Sequence, residues 1–282
     1  MVAKRSDYTT DAVEAARSVL LELTRLLGEY QDGIVIVGGW VPQLLLSQAA
    51  RQHIGSLDVD VALDYRTLRE VGYKTILQLL LARGYRQGEQ PFIFFRTVQL
   101  GERTFDVEVD FLAGEYFGAT RGHRTQKVQD MRPRKAHGCD LAVKLATEVT
   151  LSGTLPDGGK DTATLRVASI VPFLVMKAMA MAGRLMEKDA WDIYYCVRYY
   201  PGGINKLVDG FHPHLENGLV QEALTKIAEK FASPEHVGPK HVADFDDTAD
   251  PEDRARLQRD AFERVNAFIT RLKGLKRFSE AG

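Results

Sequence analysis

The alternation of hydrophobic and polar positions predicts a mixed first half of the chain. Apolar residues recur at helical spacing over 10–27, after polar residues that can cap a helix. The run GIVIV at 33–37 is typical of a short buried strand, and a Gly-Gly pair follows it. The apolar segment 40–50 is then predicted to be a helix, with a proline in its first turn, where the missing N–H costs little. The predicted order is therefore strand, glycine turn, helix.

Two further segments alternate with period two and carry acids on one face. In SLDVDVALD (56–64) the apolar side chains point one way, whereas Asp58 and Asp60 point the other. Segments 91–100 and 103–114 are predicted to form an antiparallel pair that turns at Gly101. The second of them also has an acidic face, made of Asp106, Glu108 and Asp110.

The remaining pattern is mainly helical. A helix is predicted over 67–82, and a hairpin with a PDGGK turn over 149–169. Later helices are predicted at 169–183, 187–199, 204–231 and 251–272. These elements predict an α/β (α+β) fold, with a mixed sheet flanked by helices and then a mainly helical C-terminal half. We expect a first domain at 1–165 and a second at 166–282.

Composition narrows the class of protein. The 282 residues are 45% hydrophobic, as in a folded globule, and 37 basic residues nearly balance 38 acidic ones. Nucleic-acid binding would therefore need a local basic patch, and 121–137 offers six basic residues against Asp130 alone. Two distant cysteines indicate a reducing compartment, and the sequence has no apolar run long enough to span a bilayer. We expect a cytoplasmic protein without a signal peptide or membrane contact.

The acid pair at 58 and 60 is the first candidate for chemistry. Two carboxylates two residues apart on one strand face repel each other unless a positive charge lies between them. A solvent-exposed edge strand would also explain them. A hard divalent cation such as Mg²⁺ is the sharper explanation, because it prefers oxygen ligands and a carboxylate pair can hold two ions.

The glycine pair adds a second candidate. Gly38 and Gly39 end a strand before a predicted helix, where backbone N–H groups can hold phosphate oxygens, although a tight turn alone would also explain them. Neither a Walker loop nor a GxGxxG fingerprint is present in the sequence. A glycine turn, an acid pair and a second acidic strand are together what metal-dependent nucleotidyl transfer needs.

These motifs resemble a known superfamily. GGW, LDVDV and VEVDF look like the nucleotidyltransferases that include DNA polymerase β. The segment PFLVMKAMAMAGRLMEKDAWDIYYC resembles the Lys…Arg…Lys-Asp-x-x-Asp segment of AbiEii/AbiGii-type nucleotidyltransferase toxins. On one continuous helix Lys177, Arg184, Lys188 and Asp192 would share a stripe about 80° wide. A solvated charged face is the simpler explanation, but the apolar surroundings favour a polar cleft.

The resemblance implies a role for each of these residues. Asp58, Asp60 and Asp110 would bind two Mg²⁺ ions, and Asp110 would act as general base, with Glu108 as second candidate. The NTP would be held by Gly38, Gly39, Lys177, Arg184 and Lys188, with Ser56 as a secondary candidate. Asp192 would orient Lys188 or Lys177, and both Lys188 and Asp192 count among the catalytic residues.

The resemblance also implies a biological role. It suggests the toxin of a toxin-antitoxin or abortive-infection system, which transfers NMP to an acceptor hydroxyl such as the tRNA 3′ end and has a cognate antitoxin. The basic segment 121–137 is compatible with RNA contacts, or with a solvated loop. GGW also resembles aminoglycoside and lincosamide nucleotidyltransferases, which need an acidic or apolar drug pocket instead of a basic patch. A non-catalytic NTP- or RNA-binding module is a third interpretation, which the intact acids disfavour.

Overall fold

The computed structural model describes residues 4–69, 72–114, 125–184 and 186–279, and side chains as far as 275. Within these residues the chain divides into two compact units. The sheet unit comprises Tyr8–Leu45 and Ile54–Phe173, and the helical unit comprises Met1–Asp7, Leu46–His53 and Leu174–Gly282. The expected division at 165/166 thus differs in detail: the boundary lies after Phe173, inside a helix, and two short segments join the helical unit.

The sheet unit is built on a mixed sheet. Its elements in chain order are α1 (Thr10–Leu26), β1 (Ile34–Val37), α2 (Val41–Leu45), β2 (Asp58–Leu63), α3 (Ile76–Ala82), β3 (Arg86–Gln87), β4 (Ile93–Leu100), β5 (Arg103–Ala113), β6 (Arg134–Lys135), α4 (Cys139–Lys144), β7 (Ala146–Thr154) and β8 (Lys160–Ala168). The strand order is β3-β4-β5-β2-β1-β8-β7, and β6 pairs with β5. The β2–β5, β1–β8 and β5–β6 pairs are parallel, and the other pairs are antiparallel.

The helical unit follows on. The helices are α5 (Ile170–Gly183), where the boundary between the units falls, α6 (Glu187–Tyr199), α7 (Gly203–Phe211), α8 (Gly218–Lys230), α9 (Val237–Phe245) and α10 (Pro251–Ser279). Aromatic and aliphatic side chains from α6, α7, α9 and α10 form its core, among them Trp191, Phe211, Phe245 and Phe268. The predicted fold class, a mixed sheet with helices and then a helical C-terminal half, is confirmed. None of the described helices is long and apolar enough to cross a bilayer.

Several predicted elements need correction. The helix predicted at 40–50 stops at Leu45. The helix predicted at 67–82 is a 3₁₀ turn at Thr67–Arg69 and a separate α3, which Thr75 and Gln78 begin with reciprocal capping bonds. The segment 204–231 contains two helices, because a 3₁₀ turn at His212–His214 follows α7 and Asn217 caps a new helix. Helix α9 was not predicted.

Candidate functional site

The two acidic strands lie side by side. In the parallel pair β2–β5, Asp58 is the partner of Glu108 and Asp60 is the partner of Asp110. Partners in register project to the same face of a sheet, so the four carboxylates share one face. The other face of β2 carries Val61, which lines a small apolar cavity with side chains of α1, β1 and β8. The prediction of a half-buried strand with an acidic face is therefore correct.

The glycine turn contacts the acid cluster. Val37, the last residue of β1, pairs with Asp60, and Gly38 follows with a φ of 68°. A Cβ atom on Gly38 would lie 1.8 Å from Oδ2 of Asp60, so a side chain here would displace the carboxylate. Glycine is required both for the left-handed backbone and for the close approach of Asp60.

The helix after the turn is shorter than expected. Residues 38–40 form a 3₁₀ turn, and α2 has only 5 residues. A helix this short offers little macrodipole. The predicted phosphate cradle at Gly38 and Gly39 would therefore have to depend on N–H groups of the turn itself.

Asp58 is fixed by two neighbours. Ser56 is buried, and its hydroxyl donates to Oδ1 of Asp58 at 2.5 Å. The indole Nε1 of buried Trp40 donates to the Asp58 carbonyl oxygen at 2.7 Å. Ser56, predicted as a secondary nucleotide contact, thus orients an acid, and Trp40 has a hydrogen-bonding role besides packing.

Asp110 meets a cation that the sequence did not reveal. Nη2 of Arg134 lies 2.5 Å from Oδ2 of Asp110, and its guanidinium lies 5.7 Å from the centre of the Phe92 ring. Arg134 belongs to the basic segment 121–137, which its charge makes compatible with RNA contacts. In the structure its guanidinium contacts Asp110 of the acid cluster. Arg121 and Arg124 of the same segment lie outside the described residues.

Crowding of the acids affects their protonation. Burial raises the pKa of Glu108, and the charges of Asp58 and Asp110 raise it further, against the opposing effect of Arg134. Buried Cys139 of α4 lies in the same field. Its thiol pKa is raised by burial and then by Asp140 and Asp60. Among the described residues, the cluster is thus rich in acids, and Arg134 contacts it at Asp110.

Whether the acid cluster can hold a metal ion depends on how many donor side chains converge and on their chemistry. Among the residues that the structure describes, no three or more His, Cys, Asp or Glu side chains converge as a metal-binding group. Asp58, Asp60 and Asp110 therefore do not form a ready set of three. Their chemistry nevertheless suits a hard divalent cation, because all three are carboxylates and oxygen ligands are the ones such a cation prefers.

The predicted cationic residues meet in a buried cluster of the helical unit. Nζ of Lys177 lies 2.8 Å from Asp189 Oδ1 and 2.7 Å from Asp192 Oδ2. Nζ of Lys188 lies 3.1 Å from both carboxylate oxygens of Asp192. Arg184 is more exposed and donates to Asp189 at 3.1 Å.

The geometry of this cluster differs from the prediction. Because α5 ends at Gly183 and α6 begins at Glu187, no continuous helical stripe exists, and two helices bring the residues together. The prediction that Asp192 contacts Lys177 or Lys188 is correct, and it contacts both. Asp189, the first acid of the Lys-Asp-x-x-Asp motif, is a further member of the cluster, because it pairs with Lys177 and Arg184.

His53 is a further member that the sequence did not indicate. Its side chain is fully buried, and Nε2 lies 2.9 Å from Oδ1 of Asp192. Burial lowers the pKa of His53 to about 4, aided by Lys188 and Lys177 and opposed by Asp192. Burial would raise the pKa of Asp192, but Lys177 and Lys188 outweigh it and hold that pKa far below its ordinary value. His53 is thus neutral beside an ionised carboxylate at pH 7.

Comparisons with known proteins add no family to this description. No family model, no curated protein and no solved structure matches this chain. The functional argument therefore rests on the residues themselves.

Proposed function

We propose that this protein is a Mg²⁺-dependent nucleotidyltransferase, which transfers NMP from an NTP to an acceptor hydroxyl and releases pyrophosphate. The observation that carries the proposal is the register of β2 and β5, which sets Asp58 beside Glu108 and Asp60 beside Asp110. Carboxylates in such a cluster repel unless cations lie between them, and oxygen donors favour a hard divalent cation.

Each residue around the cluster has a role in this proposal. Asp58 and Asp60 would hold the metal, which when bound neutralises developing charge on phosphate oxygens. Ser56 fixes the Asp58 carboxylate, and Gly38 lets the chain pass close to Asp60. The N–H groups at Gly38 and Gly39 are the proposed phosphate donors.

The proposed reaction is an in-line displacement at the α-phosphorus. The bond from the acceptor oxygen to phosphorus forms as the bond to the pyrophosphate oxygen breaks, and the hydroxyl proton passes to a carboxylate base. Asp110 remains the first candidate for this base. Glu108 is the second, and its raised pKa brings it nearer the range in which a general base works well.

The wider role stays a proposal from the resemblance. In it, Lys177, Arg184 and Lys188 contact the triphosphate, Asp192 orients the lysines, and the protein is a toxin with a cognate antitoxin that modifies RNA such as tRNA. A drug-modifying nucleotidyltransferase and a non-catalytic NTP- or RNA-binding module are the competing interpretations.

One experiment separates these functions. The protein is incubated with each labelled NTP, Mg²⁺ and total RNA, and in parallel with aminoglycosides and lincosamides. We expect label on RNA, and labelling at background in Asp58→Asn/Asp60→Asn, because the variant loses both proposed metal ligands. Asp106→Asn is the matched control, since Asp106 lies on the neighbouring strand β5 but is exposed and paired with Arg86.

Two outcomes would count against nucleotidyl transfer by these acids, and one would count against RNA as the acceptor. Label on a drug alone would exclude RNA and favour a drug-modifying nucleotidyltransferase, and NTP binding without any labelled acceptor would favour a binding module. Labelling that survives in Asp58→Asn/Asp60→Asn would exclude these acids from the reaction. Growth arrest on expression that disappears in the double variant would support the toxin role, whereas harmless expression of the active protein would contradict it.

A further inference from the structure

Arg134 has a defined place in the acid cluster. Its backbone is held in β6, where Arg134 pairs with Leu112 of β5, and it also forms a bridge to Thr125. Leu112 is two residues beyond Asp110 on the same strand, so the backbone pairing sets the arginine next to that acid. Arg134 Nη2 then contacts Asp110 Oδ2 at 2.5 Å.

The guanidinium is not fully bonded in this position. Its Nε is buried, and no described residue accepts a hydrogen bond from it. In contrast to a bidentate arginine pair, it contacts one carboxylate oxygen, and 38% of the side chain is exposed to solvent. The exposed side gives the guanidinium a route away from Asp110, and the unsatisfied Nε–H lowers the cost of leaving.

We propose that Arg134 is a positioning residue of the acid cluster that competes with a divalent cation for Asp110. The proposal rests on the function proposed above. While Arg134 is bound to Asp110, this third carboxylate is paired with the guanidinium. The positive charge of the guanidinium also disfavours a second cation nearby. Binding of a divalent cation with all three acids then requires the guanidinium to move aside.

Mn²⁺ binding tests this competition without any turnover. Free Mn²⁺ is titrated against the full chain and followed by electron paramagnetic resonance, without nucleotide. Arg134→Gln removes the competing cation, so we expect it to bind Mn²⁺ roughly tenfold more tightly than the unchanged chain. Arg132→Gln is the matched control, because it changes the same charge two residues away at an exposed position and should stay within about twofold.

A second set of variants changes Asp110, with and without the arginine. With the arginine present, Asp110→Asn should weaken Mn²⁺ binding only slightly, because Asp110 is already committed. In the Arg134→Gln background the same change should remove the gain. The measurement on Asp110→Asn with Arg134 present is decisive even if Arg134→Gln does not fold. A loss of Mn²⁺ affinity in Asp110→Asn as large as that in Asp58→Asn/Asp60→Asn would overturn the proposal.

The remaining outcomes are equally decisive. Equal affinity in Arg134→Gln and Arg132→Gln, or absence of Mn²⁺ binding in all variants, would refute the competition. The proposed function fails separately, when no NMP transfer depends on Asp58 and Asp60. An active enzyme whose Mn²⁺ affinity is unchanged in Arg134→Gln would therefore refute only this inference.

Discussion

The acid cluster of the sheet unit and the charged cluster of the helical unit differ in how their charges are balanced. In the sheet unit, Asp58, Asp60, Glu108 and Asp110 share one sheet face, and Arg134 opposes them at Asp110. The cluster in the helical unit sets Lys177, Arg184 and Lys188 against Asp189 and Asp192. Counting only the described side chains, the first cluster has an excess of acids that suits binding of cations, whereas acids and bases nearly balance in the second.

Burial separates the clusters further. Lys177, Lys188, Asp189 and Asp192 are all buried, whereas Asp58, Asp60 and Glu108 are only half-buried. Breaking a buried set of ion pairs lowers the stability of the folded state, because it leaves a buried charge without a partner. Removing one of several crowded acids near solvent raises the stability, because it relieves their repulsion. Charge removal should therefore have opposite effects on stability in the two clusters.

The largest expected effect is in the helical unit. Asp192→Asn removes the carboxylate that both Lys177 and Lys188 contact and leaves buried charge uncompensated. We expect a loss of about 3–5 kcal/mol in the free energy of unfolding. Urea unfolding followed by circular dichroism measures it. Glu222→Gln, which breaks an exposed pair with Lys226 in the same unit, should change little, and equal effects would refute the contrast.

The second effect is a pH dependence at His53. Its pKa in the folded protein is about 4, against an ordinary value of 6.5, so only the unfolded chain takes up a proton between these values. The free energy of unfolding is therefore highest above pH 6.5 and decreases as the pH falls to 4, by about 3 kcal/mol in total.

Urea unfolding across this pH range tests the His53 effect. His53→Gln can still donate to Asp192 but cannot titrate, so its stability should depend less on pH. His236→Gln, at an exposed histidine of the same unit, should retain the dependence of the unchanged chain. A flat profile for the unchanged chain would contradict a buried neutral His53.

The smallest effect has the opposite sign. The raised pKa of Glu108 means that its ionised form is disfavoured in the folded chain, so stability falls as the pH rises through and above 4.5. Glu108→Gln should therefore stabilise the protein at pH 7, by up to about 1 kcal/mol, and the gain should vanish below the ordinary pKa of a glutamate.

Thermal or urea unfolding at two pH values checks this gain. Asp106→Asn is its control, because the Asp106 pKa is lowered by the Thr97 hydrogen bond and by Arg86, so its removal should not stabilise. If Glu108→Gln destabilised the protein at pH 7, the acids would not be crowded in the way described.

Local patterns predicted some elements well and others poorly. The period-two alternation at 58–63 and 103–113 identified β2, β5 and their acidic faces, since alternation follows directly from strand geometry. The apolar segment 40–50 was predicted to be one helix, but from residue 46 it belongs to the helical unit. Just beyond this segment, the hydroxyl of Tyr195 donates to the Arg51 carbonyl at 2.6 Å, a contact within the helical unit that a local pattern does not reveal.

The sequence by itself determined which side of β2 and β5 carries the acids and where a glycine turn lies, because strand periodicity and glycine backbone freedom are local properties. Only the tertiary structure decided what each charge contacts. Arg134 reaches Asp110 through the pairing of β6 with β5, and His53 reaches Asp192 through packing within the helical unit. These partners are far apart in sequence, and only strand pairing and helix packing could bring them together.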